Sequence, residues 1–204
     1  MKDLFKGCWT VPNLLSFLRI VIVPIFAYFF WIGEFGWAVA MLVLSGISDF
    51  LDGKIARRFN QISALGKILD PVADKLTQIT LAVLLFLSFH TASDEMLKAF
   101  SWVFLVFIIK EFVMVLGGAV MLALGIRPGA AEIYGKVATF AFYAVMIFIV
   151  AFGPEIGVFR TAFTIPNTLM MILVVASAIL TLVAFASYMP ETYRQFKERF
   201  SKKR

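Results

Sequence analysis

The chain has 204 residues, 61% of them hydrophobic and 16% charged, with 23 Phe and a mean hydropathy of +0.91. A soluble domain of that length has too little interior to hide so much apolar surface, which excludes a water-soluble fold and points to several bilayer crossings. The net charge of +6 suits anionic headgroups, and with no soluble module left over, nucleic-acid binding is not expected.

Six apolar runs are long enough to cross a hydrocarbon core, which takes about 20 helical residues. They fall at residues 13–31, 35–56, 69–89, 97–124, 131–151 and 165–189. The first lacks a signal-peptide cleavage pattern and is read as a retained helix, kinked at Pro24. The second carries Asp49 and Asp52, and the fourth carries Lys110 and Glu111, so both must turn polar faces inward. The third ends at His90, the only histidine, read as an interfacial residue without a chemical part. The sixth has no charge between Arg160 and Glu191. Beyond it, the basic tail 190–204 spaces Tyr193, Phe196 and Phe200 as a short amphipathic helix lying on the membrane surface. Trp9, Trp31, Trp37 and Trp102 fall near predicted interfaces. A single cysteine, Cys8, allows no intrachain disulfide. The expected fold is all-α, a polytopic membrane protein with six transmembrane helices in one domain, 1–204.

Orientation follows from the basic residues, which stay on the cytoplasmic side of short connections. Lys2 and Lys6 precede the first run; Lys54, Arg57, Arg58 and Lys67 surround the second connection; Arg127 lies in the fourth; Arg194, Lys197, Arg199, Lys202, Lys203 and Arg204 follow the last. The opposite connections carry Glu34, Asp94, Glu95 and Glu155 against Lys98 and Arg160. Both termini, and the cytoplasmic ends of spans two and three, are thereby placed on one side.

Those ends carry the chemistry. Asp49 and Asp52 are three residues apart and share a helix face, which Gly53 and Ala56 continue as a recess. Gly66, Asp70 and Asp74 recur every four residues on the next helix, so four carboxylates are expected to converge. An all-oxygen set without nearby His or Cys suits Mg²⁺ or Mn²⁺ rather than zinc. Two such ions can clamp a diphosphate, with the planar fork of Arg57 placed to meet phosphate oxygens. A divalent-cation transporter would also carry aspartates in membrane helices, but such sites favour the bilayer midplane and duplicated halves, and no second copy of the pattern occurs.

From Asp49 to Asp74 the chain reads D-x2-D-G-x2-A-R-x8-G-x3-D-x3-D. With all eight fixed positions filled, this resembles the signature of the CDP-alcohol phosphatidyltransferase family. The opening Pro12-Asn13-Leu14-Leu15 with Arg19, and the stretch Asp70-Pro71-Val72-Ala73-Asp74-Lys75, extend the likeness. The resemblance implies that CDP-diacylglycerol gives its phosphatidyl group to an alcohol and releases CMP. It implies one ion on Asp49, Asp52 and Asp70, a second on Asp49, Asp70 and Asp74, and Asp74 as general base. It also implies nucleotide and diphosphate contacts from Asn13, Gly53, Ala56, Arg57, Ser63 and Gly66, and a homodimer in the cell membrane.

The Gly135-Lys136-x2-Thr139 element resembles the family's glycerol-3-phosphate-using branch, the phosphatidylglycerophosphate synthases. Lys136, Arg127, Lys75 and Lys110 are the cations placed to hold such an acceptor's phosphate. Two departures from that branch stand out. Lys110-Glu111-Phe112 replaces Arg-Glu-Ile, and Leu116-Gly117-Gly118-Ala119 replaces an Arg-Glu-Trp element. A eukaryotic-type cardiolipin synthase, whose acceptor is phosphatidylglycerol, and a synthase using inositol phosphate are the alternatives within the family.

Overall fold

The computed structural model describes residues 10–59, 63, 65–126 and 133–201; within its helices, the side chains of Phe50, Gly53, Arg57, Lys67, Ile68 and residues 199–201 are outside the description. Helix α1 (Val11–Trp31) starts under a Thr10 cap, whose hydroxyl accepts from the Asn13 N–H, with Pro12 in the first turn where a missing N–H costs nothing. It runs through Pro24 as one helix. Its end is a turn in which Gly33, at φ +80, donates to Phe30 O while Glu34 donates to Phe29 O. That pairing satisfies two terminal carbonyls and requires a left-handed residue, hence glycine. Helix α2 (Phe35–Arg58) follows, then α3 (Gly66–His90).

The fourth apolar run is divided rather than continuous. It opens as α4 (Glu95–Phe100), capped by Asp94, passes through a 3₁₀ turn at Ser101–Val103, and continues as α5 (Phe104–Ala123). Local hydrogen bonds explain the division: Ser101, fully buried, donates to Lys98 O at 2.7 Å, tightening the turn. Asp94 also accepts from Asn167 at 2.9 Å and ties α4 to the start of the last helix. Helix α5 ends like α1, with Gly125 at φ +70 donating to Leu122 O and Ile126 to Met121 O. Helices α6 (Ile133–Phe152) and α7 (Asn167–Ser201) complete the chain.

The expected surface helix in the tail is not a separate element. Helix α7 continues through Pro190 to Ser201, and its 35 residues reach well beyond the bilayer core, since about 20 suffice to cross it. Ion pairs from Arg194 to Glu191 and Glu198, one turn away on either side, support these extra turns.

Six helices are apolar and long enough to cross a membrane, with α4 and α5 counted as one, and no strand occurs among the described residues. Helix α1 packs on α2 and α3, α3 on α5, and α6 on α7. Phe26, Leu85, Phe89, Phe104, Phe107 and Met146 fill the interior. Outward-facing Phe17 and Phe112 are exposed, the inverse of a soluble surface and the proper finish against lipid. Trp31, Trp37 and Trp102 are likewise exposed near helix ends, as interfacial aromatics are, whereas Trp9 lies outside the described residues. His90 stacks on Phe86 and meets Ser101 at 3.3 Å, a packing role at the end of α3 remote from the aspartates. The first turns of α1, the end of α2 and the start of α3 meet at one end of the bundle.

Candidate active site

Three helix ends build this corner. Helix α2 contributes Asp49 and Asp52 from its last turns, α3 contributes Gly66, Asp70 and Asp74, and α1 adds a polar stripe of Asn13, Ser16 and Arg19. All three members of the stripe are buried, Arg19 to 2% exposure. Its guanidinium bridges the α2 pair, with Nη1 2.5 Å from Asp49 Oδ1 and Nη2 donating at close range to Asp52 Oδ2. The two carboxylates differ in setting: the Asp49 side chain is 61% exposed and that of Asp52 only 6%. Ser16 donates to Asp70 across the α1–α3 interface.

Asp74 is held from the next turn of its own helix and from one other helix. Gln78 Nε2 lies 3.1 Å from both of its oxygens, and the Tyr143 hydroxyl of α6 donates to Oδ1 at 3.0 Å. Beside it, Lys75 bridges to Glu111 at 2.7 Å and stands 3.9 Å from Asp74, while Lys110 also pairs with Glu111. On the α1 side, Ser63 donates to Asn13 Oδ1 at 2.8 Å and accepts from the Gly66 N–H at 2.9 Å.

A cavity of about 960 Å³ opens from this corner, with Arg19, Asp49, Asp70 and Asp74 at one end. Its other walls come from α5, α6 and α7, among them Val113, Met121, Phe140, Ile147 and Phe185. The space therefore joins an ionic corner to mostly apolar walls that include Lys136.

As arranged, no three acidic, His or Cys side chains among the described residues group around one point. The carboxylates line a wall and are spaced by Arg19, Ser16, Gln78 and Tyr143 instead of converging, because bare carboxylates repel each other and take the nearest donors. The donor set nonetheless fits a hard divalent ion. Every ligand offered is a carboxylate oxygen, and one cation, the Arg19 guanidinium, already reaches Asp49 and Asp52 together.

A family profile for CDP-alcohol phosphatidyltransferase matches residues 9–183, which takes in this whole corner and the cavity walls up to α7. The chain belongs to that family.

Among its relatives, a cardiolipin synthase (CMP-forming) of Streptomyces coelicolor is 40% identical over 137 residues, 64% of this chain and 60% of that protein. A CDP-diacylglycerol–glycerol-3-phosphate 3-phosphatidyltransferase of Aquifex aeolicus is 30% identical over 189 residues, 92% of this chain and 99% of that one. Human cardiolipin synthase (CMP-forming) is 45% identical over 75 residues, 36% of this chain and 25% of its own. The chain thus spans only 60% of the length of the bacterial cardiolipin synthase it matches.

In this family member the structure brings Asn13, Asp49, Asp52, Ser63, Gly66, Asp70 and Asp74 together at one corner. Ala56 is half-buried one turn beyond Asp52. Gly53 and Arg57 continue α2, but their side chains, like all of Arg127, lie outside the described residues. Lys136 is exposed on the large cavity. Lys75 lines both it and a second cavity of about 40 Å³, whereas Lys110 lines only the small one. Sequence reasoning passed over Ser16, Gln78, Tyr143 and the double pairing of Glu111, and gave Arg19 no role. The available signal was on α1: polar residues at positions 13, 16 and 19 of an apolar helix mark one inward face.

Gly66 shows how tightly the corner is built. A Cβ there would lie 2.5 Å from Asn13 Oδ1 and 3.1 Å from Ser63 Oγ. Gly66→Ala is expected to push Asn13 off Ser63 and raise the KM for a CDP-linked donor of the family's kind about tenfold, the worth of about one hydrogen bond. An unchanged donor KM would remove Asn13 and Ser63 from the nucleotide side.

Proposed function

We propose that this family member transfers a phosphatidyl group from CDP-diacylglycerol to an alcohol and releases CMP, in phospholipid biosynthesis. The observation that carries this reading is a single cavity with Asp49, Asp70 and Asp74 at one end and apolar walls beyond. A nucleotide diphosphate joined to a lipid needs both surfaces at once. Asp49, Asp52 and Asp70 would hold one Mg²⁺ or Mn²⁺, and Asp49, Asp70 and Asp74 a second. Bound there, such ions supply charge neutralisation of the diphosphate and polarise the phosphorus under attack.

The protein's own groups do the rest. Asn13, Ser63 and Gly66 border the nucleotide side. Asp74 takes the proton of the acceptor hydroxyl as its oxygen attacks the lipid-side phosphorus; the bond from that phosphorus to the bridging oxygen breaks, and CMP leaves with the electron pair. Gln78 and Tyr143 fix the direction in which Asp74 faces. The positive-inside asymmetry supports a site, and both termini, facing the cytoplasm, and the family resemblance extends the reading to a homodimer in the cell membrane.

The acceptor we favour is phosphatidylglycerol, giving cardiolipin. Lys75 and Lys110 share Glu111, and Arg19 is spent on aspartates, so among the described cations that line the large cavity Lys136 is the one outside an ion pair. One lysine beside an apolar wall suits a phosphodiester with acyl chains, and the similarity to the Streptomyces coelicolor protein agrees. Glycerol 3-phosphate is the second reading, favoured by the near full-length match to the Aquifex aeolicus protein.

The test is CMP release by purified protein with CDP-diacylglycerol, Mg²⁺ or Mn²⁺, and phosphatidylglycerol, glycerol 3-phosphate or inositol phosphate given separately. Turnover with phosphatidylglycerol supports the proposal, turnover with glycerol 3-phosphate alone moves the acceptor to the second reading, and no CMP from any of them overturns both. Lys136→Gln is expected to raise the KM of the working acceptor about tenfold, as loss of one charge-assisted contact does, with the donor KM unchanged. Equal acceptor KM values in the two proteins would place the acceptor's anion elsewhere.

A further inference from the structure

Arg19 is an expensive residue where it stands. It lies within the first membrane span, 2% exposed, and its guanidinium has only carboxylates to sustain it. The fork spans Asp49 and Asp52 with its two terminal nitrogens, a geometry that a planar guanidinium provides and an ammonium does not. Its Nε is buried without a hydrogen-bond partner, and the residue lines the large cavity beside Asp70 and Asp74. One buried donor is therefore uncommitted on a residue that lines the space the diphosphate would fill.

The same two carboxylates are the ones a divalent ion must use, and the oxygens facing Arg19 cannot serve both cations. We propose that Arg19 is an internal competitor for the metal: it holds Asp49 and Asp52 ready, must yield them to a divalent ion, and then takes the donor's diphosphate as its new anion. This rests on the metal-dependent reading above.

Two effects follow from charge alone. A metal arriving without a diphosphate strands a buried guanidinium, so binding in the absence of donor is weak. A metal arriving with CDP-diacylglycerol gives the guanidinium a replacement partner, so donor and metal each tighten the other by the same factor. Arg19 thereby suppresses loading of the site by metal alone and makes loading depend on the donor.

The experiment measures Mn²⁺ binding to the 204-residue chain in detergent, from the paramagnetic resonance signal of free Mn²⁺, with and without CDP-diacylglycerol. Wild type, Arg19→Gln and Arg19→Lys are compared. Without donor, Arg19→Gln is expected to bind Mn²⁺ about tenfold more tightly than wild type, because the competing charge is gone. Arg19→Lys falls between, since its ammonium keeps the charge but cannot span both carboxylates. Adding donor is expected to tighten Mn²⁺ binding less in Arg19→Gln than in wild type. The melting temperature of Arg19→Gln should fall in EDTA and recover in Mn²⁺, with little change for wild type. Should Arg19→Gln fail to fold, Arg19→Lys carries the same comparison. Donor-free Mn²⁺ affinity equal to or weaker than wild type in the variants that fold overturns the proposal and leaves Arg19 a plain structural counter-ion. Absence of Mn²⁺ binding by wild type even with donor overturns the metal reading itself, and this inference with it.

Discussion

Asp74→Asn is expected to lower kcat by about 10²–10⁴-fold while the protein still folds and binds CDP-diacylglycerol, because a general base contributes on that scale. The substitution keeps the size of the side chain. The amide oxygen can still accept from Tyr143 or Gln78, which now both donate to the carboxylate. It cannot accept the proton of an attacking hydroxyl, and it is a poorer ligand for a divalent ion. Loss of kcat with retained donor binding is therefore the signature of the base. Turnover near that of wild type would take the role away from Asp74. Tyr143→Phe serves as the comparison: it removes one of the donors that aim the base without removing the base, and its loss in kcat should be much smaller.

Asp52→Ala is expected to unfold the protein far more readily than Asp49→Ala, although both abolish metal-dependent donor binding. The two residues are one turn apart and pair with the same arginine, but their surroundings differ: the Asp52 side chain is 6% exposed and that of Asp49 is 61%. Removing one partner of a buried ion pair leaves an uncompensated charge and costs about 3–5 kcal/mol. At Asp49, water can take over much of what the carboxylate supplied. Thermal unfolding of the two variants in detergent distinguishes them, and a double-mutant comparison identifies the cause. Adding Arg19→Met to Asp52→Ala removes the stranded charge, so the double variant should be more stable than Asp52→Ala alone. If the second substitution restores nothing, the cost at Asp52 lies in packing and not in its pairing with Arg19.

These expectations depend on features of very different visibility in the chain. The bilayer-spanning helices are legible because lipid is an undemanding solvent: an apolar run of sufficient length has few alternatives to a helix. The aspartate face is legible for a local reason, since spacings of three and four residues place Asp49 with Asp52, and Gly66 with Asp70 and Asp74, on single helix faces whatever those helices pack against. The family signature rests on the same spacings, so the family could be read without coordinates.

Local detail was less accessible where two weak signals compete. The division at Ser101 turns on one side-chain hydrogen bond inside an apolar run, and hydropathy is blind to it. The passage of α7 through Pro190 went against a local breaker signal, because ion pairs on the following turns and the rigid helix before it carry the backbone onward.

The rest of the site arises between segments that have no local relation. Ser16 meets Asp70 across 54 positions and Tyr143 meets Asp74 across 69. Arg19 reaches Asp49 and Asp52 from another helix, and Glu111 gathers Lys75 from α3 and Lys110 from its own helix. Composition and spacing set the solvent, the number of crossings and the carboxylates available. Which donors those carboxylates meet, and which lysine is left for an acceptor, depended on how α1, α3, α5 and α6 pack, because a buried charge is partnered by whatever folding brings within hydrogen-bond reach, and periodicity along one helix carries no record of its neighbours.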